Sequence, residues 1–246
     1  MEISKSILIG VPVKNTGKYL DNLMHQIVSQ NYDLSKITVV LLESDSNDNS
    51  YELCKSVCKK YSNISIVLDK LDFGFDLEHS DLRYSKEKFP YRIKNLIASR
   101  NYIVDKYLKN NDYLWWVDSD FECIPSDTIN LFIECDKDIV IPILTHDRWG
   151  YHDCGSIIFN NDKQIRFQYI KSSDKLVELD RSDTHCFIKS RVFEKLRYKF
   201  VEEPYFDGCG GIQDCWSDGT YFSIESKKLG YSLYGAKHII IKHHNI

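Results

Sequence analysis

The stretch NDYLWWVDSDFECIPSDTI, Asn111 to Ile129, decides the fold. Its solid apolar run, Tyr113-Leu114-Trp115-Trp116-Val117, reads as a buried strand, and it stops abruptly at Asp118-Ser119-Asp120. Strands that are apolar on both faces belong to covered parallel sheets. In such sheets ligands gather beyond the carboxyl ends of the strands. Two carboxylates at that position either shape the next turn or hold something positively charged.

Working outward, ILIGVPV (7–13), KITVVLLES (36–44) and NISIVLD (63–69) read as further buried strands. Between them, KYLDNLMHQIVSQ (18–30) has helical spacing of Tyr19, Leu20, Leu23, Ile27 and Val28, and DNSYELCKSVCKKY suits a second helix. Residues 70–91 are mixed, polar and aromatic, and are expected to form a long loop. IKNLIASRNYIVDKYLKN (93–110) restores the helical period. PSDTINLFIEC starts another helix, with Ser126 as the expected N-cap, and KDIVIPIL (137–144) follows as a strand. Beyond residue 145 the signals are shorter and richer in strands: HCFIKS, a helix in DGTYFSIESKKLGY ending at Gly230, and a last strand in HIIIKHH. Alternation of strand and helix predicts an α/β fold with a mostly parallel central sheet and helices on both faces.

The 246 residues are 43% hydrophobic and 28% charged, enough for one large core. A net charge of −4 argues against a nucleic-acid partner. Eight cysteines with no C-x-x-C pair read as reduced core residues. No apolar run is long enough to span a bilayer. A soluble, reducing, cytoplasmic setting is expected unless an anchor lies outside this sequence.

Three strand ends should open onto one crevice: Pro12-Val13-Lys14-Asn15, Glu43-Ser44-Asp45-Ser46 and Asp118-Ser119-Asp120. Acids brought together there repel unless protonated, hydrogen-bonded or bound to metal. Hard divalent cations favour such oxygen ligands, and a D-x-D pair offers two of them. The other reading of Asp118 and Asp120 is a plain turn. At the chain's end, a final strand could return His243 or His244 to the same edge, and a mixed oxygen and nitrogen set suits manganese better than magnesium.

These motifs, ILIGVPVKN, LLESDSNDNS, IASRNYIVD, WWVDSDFECIPSDTI and DIVIPILTHD in that order, resemble the fungal mannan-polymerase mannosyltransferases. More broadly they resemble nucleotide-sugar glycosyltransferases of the GT-A fold, which is Rossmann-like. The resemblance touches most of the chain except 70–92 and 146–180. It implies a single GT-A domain over 1–246, with a nucleotide-sugar-binding half (1–145) and a strand-rich acceptor-side half (146–246). It implies Mn2+ (or Mg2+) held by Asp118, Asp120 and His243, a diphosphate near Asp118, and Asp45 near the nucleoside. Pro12, Val13, Asn15, Glu43 and Ser119 would line the donor site from the strand ends. The expected donor is GDP-mannose or a UDP-sugar, the acceptor a glycan or glycoconjugate, and the anomeric configuration is retained.

For the chemistry, Arg100 and Arg92 are candidates to bind phosphate through a guanidinium fork, the alternative being surface charge on a helix. Asp218 stands at the expected start of a helix, where it would serve either as an acid facing the acceptor or as an N-cap. Gly208, Gly210 and Gly211 suggest close backbone approach, and Trp149, Tyr151 and Trp216 could stack on sugars or pack in the core. Rival readings are a sugar-1-phosphate nucleotidyltransferase, whose Gly-rich basic phosphate loop GVPVKNTGK imitates poorly, a phosphatase with a nucleophilic D-x-D, and a sugar-binding module without turnover.

Overall fold

The computed structural model describes residues 4–74, 88–146, 150–151, 156–160, 163–166, 169–171, 173–183, 187–203, 205–206, 212–213 and 216–244. The strands are β1 (Ile7–Val13), β2 (Ile37–Glu43), β3 (Ser65–Lys70), β4 (Tyr113–Trp116), β5 (Phe121–Cys123), β6 (Ile139–His146), β7 (Gly150–Tyr151), β8 (Ile157–Asn160), β9 (Lys163–Arg166), β10 (Leu176–Glu178), β11 (Phe187–Lys189), β12 (Tyr205–Phe206), β13 (Ile212–Gln213) and β14 (Leu233–His243). The helices are α1 (Leu20–Val28), α2 (Ser50–Lys60), α3 (Phe89–Tyr107), α4 (Thr128–Glu134) and α5 (Asp218–Lys228).

One sheet runs in the order β10-β14-β6-β11-β4-β1-β2-β3, with β5 added to β14 and β7 to β6. β3, β2, β1 and β4 pair in parallel, as do β6 and β14. β11 enters antiparallel between β4 and β6, and β10 closes the far edge antiparallel to β14. The sheet is thus mostly parallel, as the alternating pattern predicts. β11 comes from the second half of the chain yet lies between strands of the first, so both halves share this sheet.

Side chains of a strand alternate between faces, and the apolar runs fill both. Ile7, Ile9, Val11, Val13, Val39, Leu41 and Trp115 face a core closed by Leu20, Leu23 and Ile27 of α1, Cys54 of α2 and Phe132 of α4. Leu8, Val40, Leu42, Leu114 and Trp116 face the other core, closed by Ile93, Ile97 and Ile103 of α3 and Phe222 of α5. Trp116 fits because its neighbour in register is Gly10: a Cβ at Gly10 would stand 2.4 Å from the indole.

Three expectations are corrected. α3 starts at Phe89, with Pro90 in its first turn where a missing N–H costs nothing, so the expected loop ends earlier; residues 75–87 lie outside the described residues. Asp127, not Ser126, stands at the cap of α4 and makes no side-chain cap bond, while the Ser126 carbonyl accepts from Asn31 N at 2.8 Å. β5 was not expected at all. Among the described cysteines none is disulfide-bonded; Cys54 and Cys135 are buried, but Cys123 is exposed. Burial pushes the Cys54 thiol up to about 12. Among the described residues no helix is long and apolar enough to cross a membrane.

Candidate active site at the carboxyl edge

β4 stops pairing at Trp116, and the chain turns through Asp118-Ser119-Asp120, closed by Phe121 N donating to the Asp118 carbonyl at 3.1 Å. The chain then reverses as β5 and lies antiparallel to the end of β14, with Phe121 opposite His243 and Lys242 opposite Cys123. His244 N donates to the Asp120 carbonyl at 3.0 Å, and Lys242 Nζ stands 3.1 Å from Glu122 Oε2. β14 is irregular between Ala236 and Ile240 and again at Lys242/His243. Bulges of this kind re-aim side chains at sheet rims.

The outcome is convergence of one ligand atom each from Asp118, Asp120 and His243, all within 4.8 Å of one another. His243 Nε2 is 3.5 Å from Asp118 Oδ2, and Nδ1 is 3.5 Å from Asp120 Oδ1. The imidazole is buried (4% exposed), Asp120 is mostly buried, and Asp118 is open to solvent at 52%. Burial disfavours the charged ring, but the hydrogen bond to Asp120 and the charges of Asp118 and Asp120 outweigh it, leaving the His243 pKa above its ordinary value. The Phe121 ring stands edge-on to His243 at 4.6 Å between centroids. His244 does not join the group; it stacks on Tyr19 at 4.5 Å.

The other strand ends lie along the same edge. Pro12 and Val13 pair with Leu42 and Glu43, and Val13 is buried in the core with its carbonyl accepting from Ser44 N. Asn15 and Asp45 both adopt left-handed backbone, φ 53° and 47°, conformations that cost energy for residues other than glycine and gather at functional turns. Asn15 Oδ1 accepts from Asn47 N at 2.9 Å. The Asp45 carboxylate accepts from Phe73 N at 2.8 Å and Gly74 N at 3.1 Å, so it anchors the segment after β3. Glu43 is buried, with Oε1 accepting from Ser46 N at 2.9 Å.

Arg100 is placed differently from either sequence expectation: it is neither on the surface nor open to the crevice. Its Nε lies 2.6 Å from Asp218 Oδ2, both side chains being at least nine-tenths buried. The guanidinium sits 4.8 Å from the Trp116 ring and 5.7 Å from that of Tyr198. Burial works against its charge, but Asp218 foremost, then Tyr198 and Asp118, hold its pKa above the ordinary value. Arg92 is half-buried on the same helix, two turns earlier. The cap of α5 is Ser217, which accepts from Thr220 N, so the N-cap alternative for Asp218 does not apply. Trp216 is half-buried; Trp149, Gly208, Gly210, Gly211 and the Tyr151 side chain lie outside the described residues.

Several residues that position the acidic turn carry no motif. Thr16 and Ser119 share a hydroxyl hydrogen bond of 2.7 Å, which ties the end of β1 to the middle of D-S-D. Asn22 and Gln26 of α1 and Gln30 just past its end, four apart in sequence, bond the backbone of Glu122, Ile124 and Pro125. A stripe of amides at helical spacing within an apolar helix was the available signal.

A mostly parallel sheet with one inserted antiparallel strand and an acid-acid-histidine group at its carboxyl edge defines the class: the fold is that of the GT-A glycosyltransferases. Solved structures agree. A mannosyltransferase from Pyrobaculum calidifontis, in complex with GDP-Man and Mn2+, superposes with TM-score 0.60 at 12% identity, covering 98% of this chain and 57% of that one. GalNAc-T7 with UDP, GalNAc and Mn2+ gives 0.63 at 14% identity, covering all of this chain and 45% of that one. The Anp1 family model matches residues 1–181, and the chain belongs to the Anp1 family. The mannan polymerase II complex anp1 subunit of Schizosaccharomyces pombe is 26% identical over 97% of this chain and 64% of its own length. The corresponding Saccharomyces cerevisiae subunit is 27% identical over 55% of this chain and 29% of its own. This chain therefore spans less than two thirds of these relatives.

Proposed function

We propose that the chain is a metal-dependent glycosyltransferase moving a hexose from a nucleotide diphosphate to a hydroxyl of a glycan or glycoconjugate. The observation that carries this reading is the convergence of Asp118, Asp120 and His243 at the carboxyl edge of a GT-A sheet. Two carboxylates and an imidazole suit manganese, with magnesium as the alternative. Asp118 and Asp120 would offer carboxylate oxygens to such an ion and His243 a ring nitrogen, from atoms within 4.8 Å of one another. The bound ion would act as a Lewis acid toward the charge growing on the departing phosphate oxygen.

The remaining work falls to the protein's own groups. Thr16 and the amides of α1 hold the acidic turn, and β14 holds His243 against it. The left-handed turns at Asn15 and Asp45 shape the nucleoside side, with Pro12, Val13, Glu43 and Ser119 as its framework. Arg92 and Arg100 place positive charge along α3 behind the diphosphate. Asp218, at the start of α5, belongs to the acceptor side. Because Arg100 engages its carboxylate, the acceptor proton passes to the departing phosphate, which fits a retaining transfer. GDP-mannose is the preferred donor, ahead of UDP-sugars, given the mannan polymerase relatives and the GDP-Man bound by the archaeal neighbour.

The test is to measure nucleoside diphosphate release from a panel of nucleotide sugars across a manganese titration. Metal-dependent GDP release from GDP-mannose, abolished in Asp120→Ala with an unchanged far-UV spectrum, is expected. Pyrophosphate release from a nucleoside triphosphate and sugar phosphate would make the chain a nucleotidyltransferase; sugar binding without turnover would make it a binding module.

A further inference from the structure

We propose that Tyr198 is a positioning residue for the transfer reaction, holding Arg100 and, through it, the Asp218 carboxylate at the acceptor side of the site. This rests on the transferase reading above. Tyr198 belongs to no motif, yet it touches each element that meets behind the site. Its hydroxyl accepts from Trp116 Nε1 at 2.8 Å, which joins it to the strand that ends in the acidic turn. Its ring stacks on Phe222 of α5 at 4.4 Å, and that helix begins with Asp218. Its backbone is clamped from α3: Asn101 Nδ2 donates to the Tyr198 carbonyl and Tyr198 N donates to Asn101 Oδ1, both at 3.0 Å. Asn101 is the residue after Arg100, whose guanidinium lies beside the faces of Trp116 and Tyr198.

The energetics favour a positioning role over a purely stabilising one. A buried ion pair gains little net stability, because removing both charges from water opposes their attraction. Its geometry is nevertheless fixed from three sides: by the Trp116 ring, the Tyr198 ring and the Asp218 carboxylate. Arginine pinned in this way allows one orientation of the carboxylate it faces. The Tyr198 hydroxyl fixes the Trp116 indole, and the Asn101 clamp fixes where Tyr198 sits along α3. A reacting group displaced by about 1 Å can lose on the order of 100-fold in rate, so a small loosening of this network is readable in kinetics.

The experiment is a double-variant cycle with Tyr198→Phe and Asp218→Asn, reading acceptor transfer, donor KM, manganese affinity by paramagnetic resonance, and thermal unfolding. Tyr198→Phe keeps the ring and removes only the hydroxyl. Its transfer kcat is expected to fall about tenfold, with manganese affinity and donor KM within twofold of wild type. In the double variant, Tyr198→Phe should add little to the loss already caused by Asp218→Asn, since coupled sites are non-additive. Asn101→Ala, which removes the clamp and leaves the hydroxyl, should give the same pattern more weakly. Fully additive losses, an unchanged kcat, or a loss that tracks manganese affinity would each overturn the proposal. Wild-type protein without metal-dependent nucleoside diphosphate release would overturn the transferase reading, and this one with it.

Discussion

Replacing His243 by phenylalanine should uncouple metal binding from folding. The substitution keeps a ring against Phe121, whose centroid is 4.6 Å away, and removes both ring nitrogens, Nε2 facing Asp118 and Nδ1 facing Asp120. Loss of an outer-sphere partner of a ligand costs about 10–100-fold in metal affinity, so loss of the ligand itself should cost at least about 100-fold. The assay is thermal unfolding with and without manganese, set at about 100 times the wild-type Kd. Binding to the folded state alone then stabilises wild type by about 2.7 kcal/mol. At about 2–4 °C per kcal/mol for a domain of this size, its Tm rises by about 5–11 °C. In His243→Phe the same manganese concentration only matches the weakened Kd. The stabilisation falls to about 0.4 kcal/mol, a rise of about 1–2 °C. Comparing each protein with and without metal cancels any change in its metal-free stability. His244→Ala, which removes the stack on Tyr19, should keep most of the wild-type rise. A His243→Phe protein that kept the full manganese-induced rise would refute the acid-acid-histidine site.

Three further outcomes are expected. Gly10→Ala places a methyl 2.4 Å from the Trp116 ring, far inside contact distance, so stability should fall by about 1–3 kcal/mol; an unchanged Tm would refute the close approach of β1 and β4. Arg100→Lys keeps the charge beside Asp218 but loses the flat contact with Trp116 and Tyr198, so transfer should fall more than stability, and equal activity would make Arg100 a passive charge. Asp138 is buried, yet hydrogen bonds from Ser232 and the Arg191 guanidinium overcome that burial and hold its pKa below the usual carboxylate value. Its contribution is therefore full above the unfolded pKa of about 3.9 and is lost as pH falls through the lower folded value. Asp138→Asn should cost about 2 kcal/mol at pH 7 and flatten the acid limb of the stability curve, and an unaltered acid limb would exclude that role.

What the sequence determined by itself is what local pattern encodes. Apolar residues at successive positions in ILIGVPV and YLWWV require cover on both faces, which predicts a mostly parallel sheet. A strand's end is where the apolar run stops, so the place of Asp118 and Asp120 at the sheet edge was legible too. The helices of spacing 3.6 followed equally, apart from their ends: those expected over 18–30 and 93–110 run Leu20–Val28 and Phe89–Tyr107. Tertiary structure decided what local pattern cannot carry. β5 has three residues, too few for a period, yet its pairing with β14 sets which of two adjacent histidines reaches the acids. β11 was legible as a strand but not as an antiparallel insertion between β4 and β6, because the choice of neighbour depends on connections made elsewhere. Arg100 and Asp218 have the composition of surface charges, and only the docking of α5 against α3 buries them together. Residue type reports how a side chain prefers to be solvated; its partner is chosen by register and docking, and those are properties of the whole chain.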